Sequence, residues 1–182
     1  MRTVNFEWLN AILMKRTLEN LNEALTFHLE NMYDAEKMLQ RKLADFLPEI
    51  SSPALKKEWT RYCNGTPDKR LKLKRIFSYL LSGPFHRKNP AMEEMLKELK
   101  EVSSMTKGPL RDVMLIATMH QIIHWKIAAY GTARALSMVM ELQTVTELLE
   151  EIVQWEKEAD AILSRIAEKH VNLKAGDTVA TQ

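Results

Sequence analysis

From Leu18 to Phe46 the apolar side chains recur at helical spacing: Leu18, Leu21, Leu25, Leu29 and Met32, then Leu39, Leu43 and Phe46. That rhythm belongs to one long amphipathic helix. Pro48 stops it, because proline lacks the amide hydrogen and its ring clashes with the preceding turn. A helix with a single apolar stripe must bury that stripe against neighbours, so the rest of the chain has to supply them. Ser52–Pro53 is a good N-cap and first-turn pair. It opens a second helix through Leu55, Trp59 and Tyr62 that resumes at Leu73, Ile76, Phe77 and Leu80. Between the two halves, Gly65 and Pro67 in "CNGTPD" predict a kink or a break.

The loop "SGPFHRKNP" (82–90) leads into a shorter helix, "AMEEMLKELKEVSSMT", and "KGP" (107–109) precedes a long helix from about Leu110 to Met140. Thr144 and Glu147 stand at capping-box spacing before a last long helix that reaches about Val171. No period-two pattern competes. The expected fold is all-α, an up-down bundle of four long helices plus one shorter helix. It divides into an N-terminal amphipathic arm (1–17), the bundle (18–172) and a polar, flexible tail (173–182).

Composition agrees with a helical globular chain: 46% of residues are apolar, with five glycines and six prolines. A net charge of +2 does not by itself call for a polyanionic partner. The stretch 56–75 holds eight basic residues against Glu58 and Asp68, but charged helix faces are ordinarily solvated, so no nucleic-acid partner is expected. The N-terminal apolar run "AILM" is far shorter than the roughly 7–15 residues of a signal peptide or the about 20 of a membrane span. Single Cys63 has no disulfide partner within the chain, so a buried, inert thiol in a reducing, cytoplasmic setting is expected, with no membrane association.

Polar residues that fall on the apolar stripes are where a bundle builds its function. His28 and Glu36 lie among Leu25, Leu29, Met32 and Leu39. Thr66 and Lys69 fall between Tyr62 and Leu73. His120 and His124 share a face with Ala117, Ile123 and Ile127, and Glu156 lies between Ile152 and Ala159 with Asp160 one turn on. Each would cost roughly 1–3 kcal/mol if buried without a partner, and more if charged. A metal, a salt-bridged network, or escape to water at the stripe edges would each account for them. "HQIIH" has the two-histidine spacing of a metal clamp. Gln121 stands where a zinc peptidase needs its glutamate base, so that chemistry is excluded.

The stretches "LTFHLENMYDAEKMLQRKL", "SSPALKKEW", "AMEEML", "RDVMLIATMHQIIHWKIAAYGTARAL" and "LLEEIVQWEKEADAILSRIAEKHVN" resemble the YciF-type bacterial ferritin-like family from about Leu18 to Asn172. The resemblance implies a ferritin-like bundle, commonly dimeric. In that family, carboxylates and histidine from the long helices can hold two iron-type ions, and stress-associated roles are proposed. This chain departs from the pattern at the ligands. It carries His28 and Asn31 for acidic residues of the first helix, and Asn64 and Gly65 at the glutamate-rich step of the second. Ile123, His124, Trp125 and Lys126 replace the "E-H-Y-E" step, and Trp155 replaces one of the paired glutamates beside Glu156. Glu36, His124, Glu156 and Asp160 survive.

Isoleucine cannot coordinate, tryptophan offers no oxygen, and an ammonium repels a divalent ion. The expectation is therefore a degenerate, metal-free centre in a non-catalytic, stress-associated or structural protein. No cofactor and no catalytic residue are expected, and Lys126 or Lys69 would offset Glu36 or Glu156. The alternative is a remodelled site for Fe, Mn or Zn. Glu36, His124 and Glu156 are its first ligands and His28 and His120 the second choice. A homodimer is expected. Ala128, Ala129, Gly131, Ala133 and Ala135 would let another helix approach closely, inside the bundle or across the dimer.

Overall fold

The computed structural model describes residues 17–83 and 87–177, and the N-terminal arm apart from Thr17 lies outside them. Helix α1 spans Leu21–Lys42 and tightens into a 3-10 segment, Leu43–Glu49, that contains Pro48. Helix α2 spans Pro53–Tyr79, α3 Pro90–Met105, α4 Gly108–Val139 and α5 Gln143–Ile166. A π-helical turn, Ala167–Val171, joins α5 to a final short helix, α6, at Asn172–Asp177. Of the tail expected at 173–182, residues 173–177 continue as helix and 178–182 lie outside the described residues. No strand occurs among the described residues.

The four long helices close a ring in which α1 touches α2, α2 touches α5, α5 touches α4 and α4 touches α1. Cross-helix pairs show that ring neighbours run antiparallel. His28 meets Ala129 while Glu36 meets Lys126, and His120 meets Asp160 while Ser137 meets Thr146. Consequently α2 and α4 point the same way, and α3 is part of the crossover between them, packed on α4 and α1. One long crossover is the ferritin-like form of the four-helix bundle.

Side chains tie these elements at their starts. Ser52 Oγ accepts from Leu55 N, as the Ser52–Pro53 pair requires. Buried Asp112 on α4 accepts from Ser51 N, Ser52 N and Ser51 Oγ, which locks the entry of α2 onto α4. Asn89 caps α3 through Met92 N and donates to the Asn31 carbonyl of α1. At the start of α5, Leu142 occupies the N-cap and Thr144 lies inside the first turn, so the expected Thr144–Glu147 box does not form.

Helix α2 runs unbroken through Pro67, so of the expected kink or break, the break does not occur. Pro67 cannot donate to the Cys63 carbonyl, four residues back. The hydroxyl of fully buried Thr66 donates to that carbonyl instead, at 2.5 Å, and satisfies the acceptor that proline orphans.

The core is split. One apolar half gathers Leu39, Leu43, Leu55, Trp59, Leu99, Leu115, Ile122, Ile123 and Leu163. The other gathers Leu25, Leu29, Met32, Leu73, Phe77, Ala133, Leu149 and Ile152. In α1, α2, α4 and α5 the residues between the two halves include Glu36, Lys69, Lys126 and Glu156, all buried. A Thr66→Val substitution keeps the shape and deletes the hydroxyl, leaving the Cys63 carbonyl without its donor. It is expected to lower unfolding free energy by about 1–3 kcal/mol, read from the urea midpoint at unchanged slope.

Candidate functional site

Each long helix contributes to the polar layer at the position where its apolar stripe is interrupted. Lys126 of α4 has no solvent exposure. Its Nζ lies 2.8 Å from Glu36 Oε1 of α1 and 2.6 Å from Glu156 Oε1 of α5. It also donates to the Tyr62 hydroxyl of α2 at 2.8 Å. Tyr62 passes a hydrogen bond on to Glu156 Oε2 at 2.7 Å, and Lys69 of α2 donates to Glu156 Oε1 at 2.5 Å. Tyr130 of α4, one turn after Lys126, donates to Glu36 Oε1 at 2.8 Å. Lys69 Nζ also sits 4.1 Å from the centre of the Tyr62 ring, an approach that a ring quadrupole favours.

Formal charge balances in this layer, with two ammonium groups facing two carboxylates. Burial pushes the Glu156 carboxyl up, but the combined attraction and hydrogen bonds of Lys126 and Lys69 outweigh it and hold it below the ordinary value of 4.5. Burial also works against the Lys126 ammonium, yet Glu156 and Glu36 on either side hold its pKa above the ordinary 10.5. Lys69 moves the other way. Burial and repulsion from Lys126 lower its pKa in spite of Glu156. Tyr62 and Tyr130 are pushed well above 10 by burial and then by the carboxylates, so both phenols remain donors. Glu36 Oε2 is buried with no hydrogen-bond partner among the described residues.

The remaining sequence candidates are not brought to this centre. His28 donates from Nε2 to the Ala129 carbonyl at 2.8 Å and bridges α1 to α4. Asn31 turns back to the Phe27 carbonyl of its own helix. His120 and His124, read from sequence as inward, face Asp160 on the outer side of the α4–α5 pair, and the His124 side chain is 64% exposed. The physical reason is that α4 is covered by α1, α3 and α5, so its buried surface is too broad for a single stripe to mark. Ile123 and Lys126 are inside, and His124 between them is not. Glu36, Glu156, His28, His120 and His124 thus occupy three separate settings.

Asn64 and Gly65 line a surface cleft of about 290 Å³ beside Tyr62, Lys69 and Trp155. The basic stretch 56–75 is dispersed around α2. Lys69 is in the core, Arg61 pairs with Glu58, Lys72 with Glu151, and Arg70 with Gln40 and Tyr33. Tyr62 and Tyr130 were not singled out from sequence as functional. The spacing of Tyr130 one turn from Lys126 was the available signal.

A family model described as "Domain of unknown function (DUF892)" matches residues 20–176. The chain belongs to the DUF892 family. Protein YciF of Escherichia coli strain K12 is 29% identical over 171 residues, covering 87% of this chain and 96% of YciF. The crystal structure of YciF, described as an E. coli stress protein, superposes with a TM-score of 0.82 at 27% identity, covering 85% of this chain and 99% of that one. YcfI of Rhodopseudomonas palustris gives 0.79 at 22% identity, covering 83% and 97%, and shows the same fold. The YciF-type resemblance and the all-α bundle read from sequence are both confirmed. No helix among the described residues is long and apolar enough to cross a membrane.

Glu156→Gln removes the anion that two ammonium groups share, and is expected to cost about 3–5 kcal/mol at pH 7. Because Glu156 titrates lower in the folded chain than in the unfolded one, its contribution is complete above the unfolded value and is lost as pH falls through the folded value. The stability gap between the wild type and Glu156→Gln should therefore narrow on acidification below about 4.5. Urea titrations across that range check it.

Proposed function

We propose that this DUF892 chain is a metal-independent, non-catalytic version of the ferritin-like bundle, with a structural or stress-associated role. The observation that carries the reading is the Lys126 ammonium within 2.8 Å of both Glu36 and Glu156. A pair of iron-type ions requires anionic oxygens that converge on open space. Here the two surviving glutamates converge on a covalently attached cation, with the Lys69 ammonium on the same oxygen of Glu156. A divalent ion at contact distance from Lys126 would meet strong repulsion in a low-dielectric setting. The residues present do not fit the di-metal group, and no redox chemistry is assigned to them. The reading includes a cytoplasmic setting and, as the family resemblance implies, a homodimer, the latter checked by light scattering of the purified chain.

Elemental analysis of protein purified from iron- and manganese-supplemented cells is the direct test. Less than stoichiometric iron and manganese is expected. One or more ions per chain that disappear in a Glu36→Ala/Glu156→Ala double variant would overturn the proposal. A second measurement probes the same centre by stability. Lys126→Met leaves Glu36 and Glu156 facing each other without the central cation and should cost about 3–5 kcal/mol. Supplying Mn(II), which prefers carboxylate to imidazole donors, should leave the wild-type melting temperature unchanged.

A further inference from the structure

We infer that His120, His124 and Asp160 form a binding site for one divalent transition-metal ion on the outer face of the α4–α5 pair, separate from the carboxylate–lysine layer. His120 and His124 are four residues apart on α4, which places both rings on one face, one turn from each other. Asp160 reaches across from α5. His120 Nδ1 lies 2.7 Å and His124 Nε2 2.9 Å from the same atom, Asp160 Oδ1. All three donor atoms lie within 4.8 Å of one another.

Two imidazole nitrogens and a carboxylate oxygen thus converge on one point from a rigid helix pair, and the supporting backbone is regular helix throughout. Zinc takes nitrogen and oxygen ligands at roughly 2.0–2.2 Å, so neighbouring donors around a tetrahedral ion stand about 3.3 Å apart. The carboxylate oxygen needs to retreat from the two rings by only about 0.5 Å to reach that spacing. Side chains at this surface can make such a shift, since His120 and Asp160 are about a quarter exposed and His124 more. His120 Nδ1 now donates a proton to Asp160. On metal binding that proton moves to Nε2 or to solvent, a proton on His124 Nε2 moves likewise to its Nδ1 or to solvent, and the freed lone pairs take the ion.

The ligand chemistry selects the class of ion. Imidazole suits Zn, Ni, Co and Cu better than Mg, Ca or Mn, and the single carboxylate leaves the donor set at one negative charge. Three protein ligands and an open outer side leave at least one position for water. Bound there, the ion would staple the middle of α4 to the C-terminal half of α5. The site shares His124 and Asp160 with the positions that the family resemblance pointed to, but it lies on another face from the carboxylate–lysine layer, adds His120, and involves neither Glu36 nor Glu156.

Titration of the purified full-length chain with zinc sulfate, competed against a chromogenic zinc indicator, tests the assignment. Cobalt(II) chloride gives a second readout through its visible absorption on entering a low-coordinate nitrogen–oxygen site. One zinc per chain is expected, with at least ~10-fold weaker binding in both His124→Ala and Asp160→Asn. Those side chains are at the surface, so the variants should fold, and circular dichroism verifies it. Glu36→Gln should bind zinc as the wild type does. Absence of zinc uptake by the wild type at micromolar metal, or uptake unchanged in both ligand variants, would sink the inference. Neither outcome touches the proposal for the core, which fails only if iron or manganese is held through Glu36 and Glu156.

Discussion

The ammonium of Lys126, enclosed by Glu36 and Glu156, fixes how the four long helices meet. It joins α4 to α1 and to α5 in one contact, and through the Tyr62 hydroxyl to α2. Apolar packing above and below would tolerate many small slips of one helix along another. A buried lysine that must meet two carboxylates would not, because displacement by one turn strands charges in the interior. Net stabilisation from such a network is modest after desolvation, and its larger effect is on which arrangement survives. The position of the layer, between the two halves of the core, lets one set of contacts set the register for both.

The two lysines are not equivalent, and the difference follows from geometry. Lys126 has a carboxylate on each side, so attraction overcomes burial. Lys69 has one carboxylate and a like charge nearby, and burial prevails. The phenols complete the arrangement as neutral donors, and Tyr62 both accepts from Lys126 and donates to Glu156. This economy of donors leaves a single carboxylate oxygen, Glu36 Oε2, without a protein partner among the described residues.

Much of this was legible in the sequence. Helix positions followed from apolar spacing, the opening of α2 from Ser52–Pro53, and the pairing of a lysine with the surviving glutamates from the departure at Lys126 and from Lys69 on the apolar stripe. The misreadings have identifiable causes. Pro67 left a kink or a break open because the pattern does not show that Thr66 supplies the missing hydrogen bond. Thr144 looked like a cap because capping-box spacing is a local signal, whereas the connection from α4 ends at Leu142. His120 and His124 looked inward because α4 has three neighbouring helices and little amphipathic contrast. Their meeting with Asp160 depends on how two helices pair, which no local pattern encodes.

A cation carried on a covalent stem has consequences that an inorganic ion does not. It cannot be removed by a chelator, exchanged for a competing ion, or changed in oxidation state. It is installed at synthesis, so the interior is electrically complete as soon as the chain folds. On the proposed reading, the middle of this bundle answers neither to metal supply nor to the redox state around it.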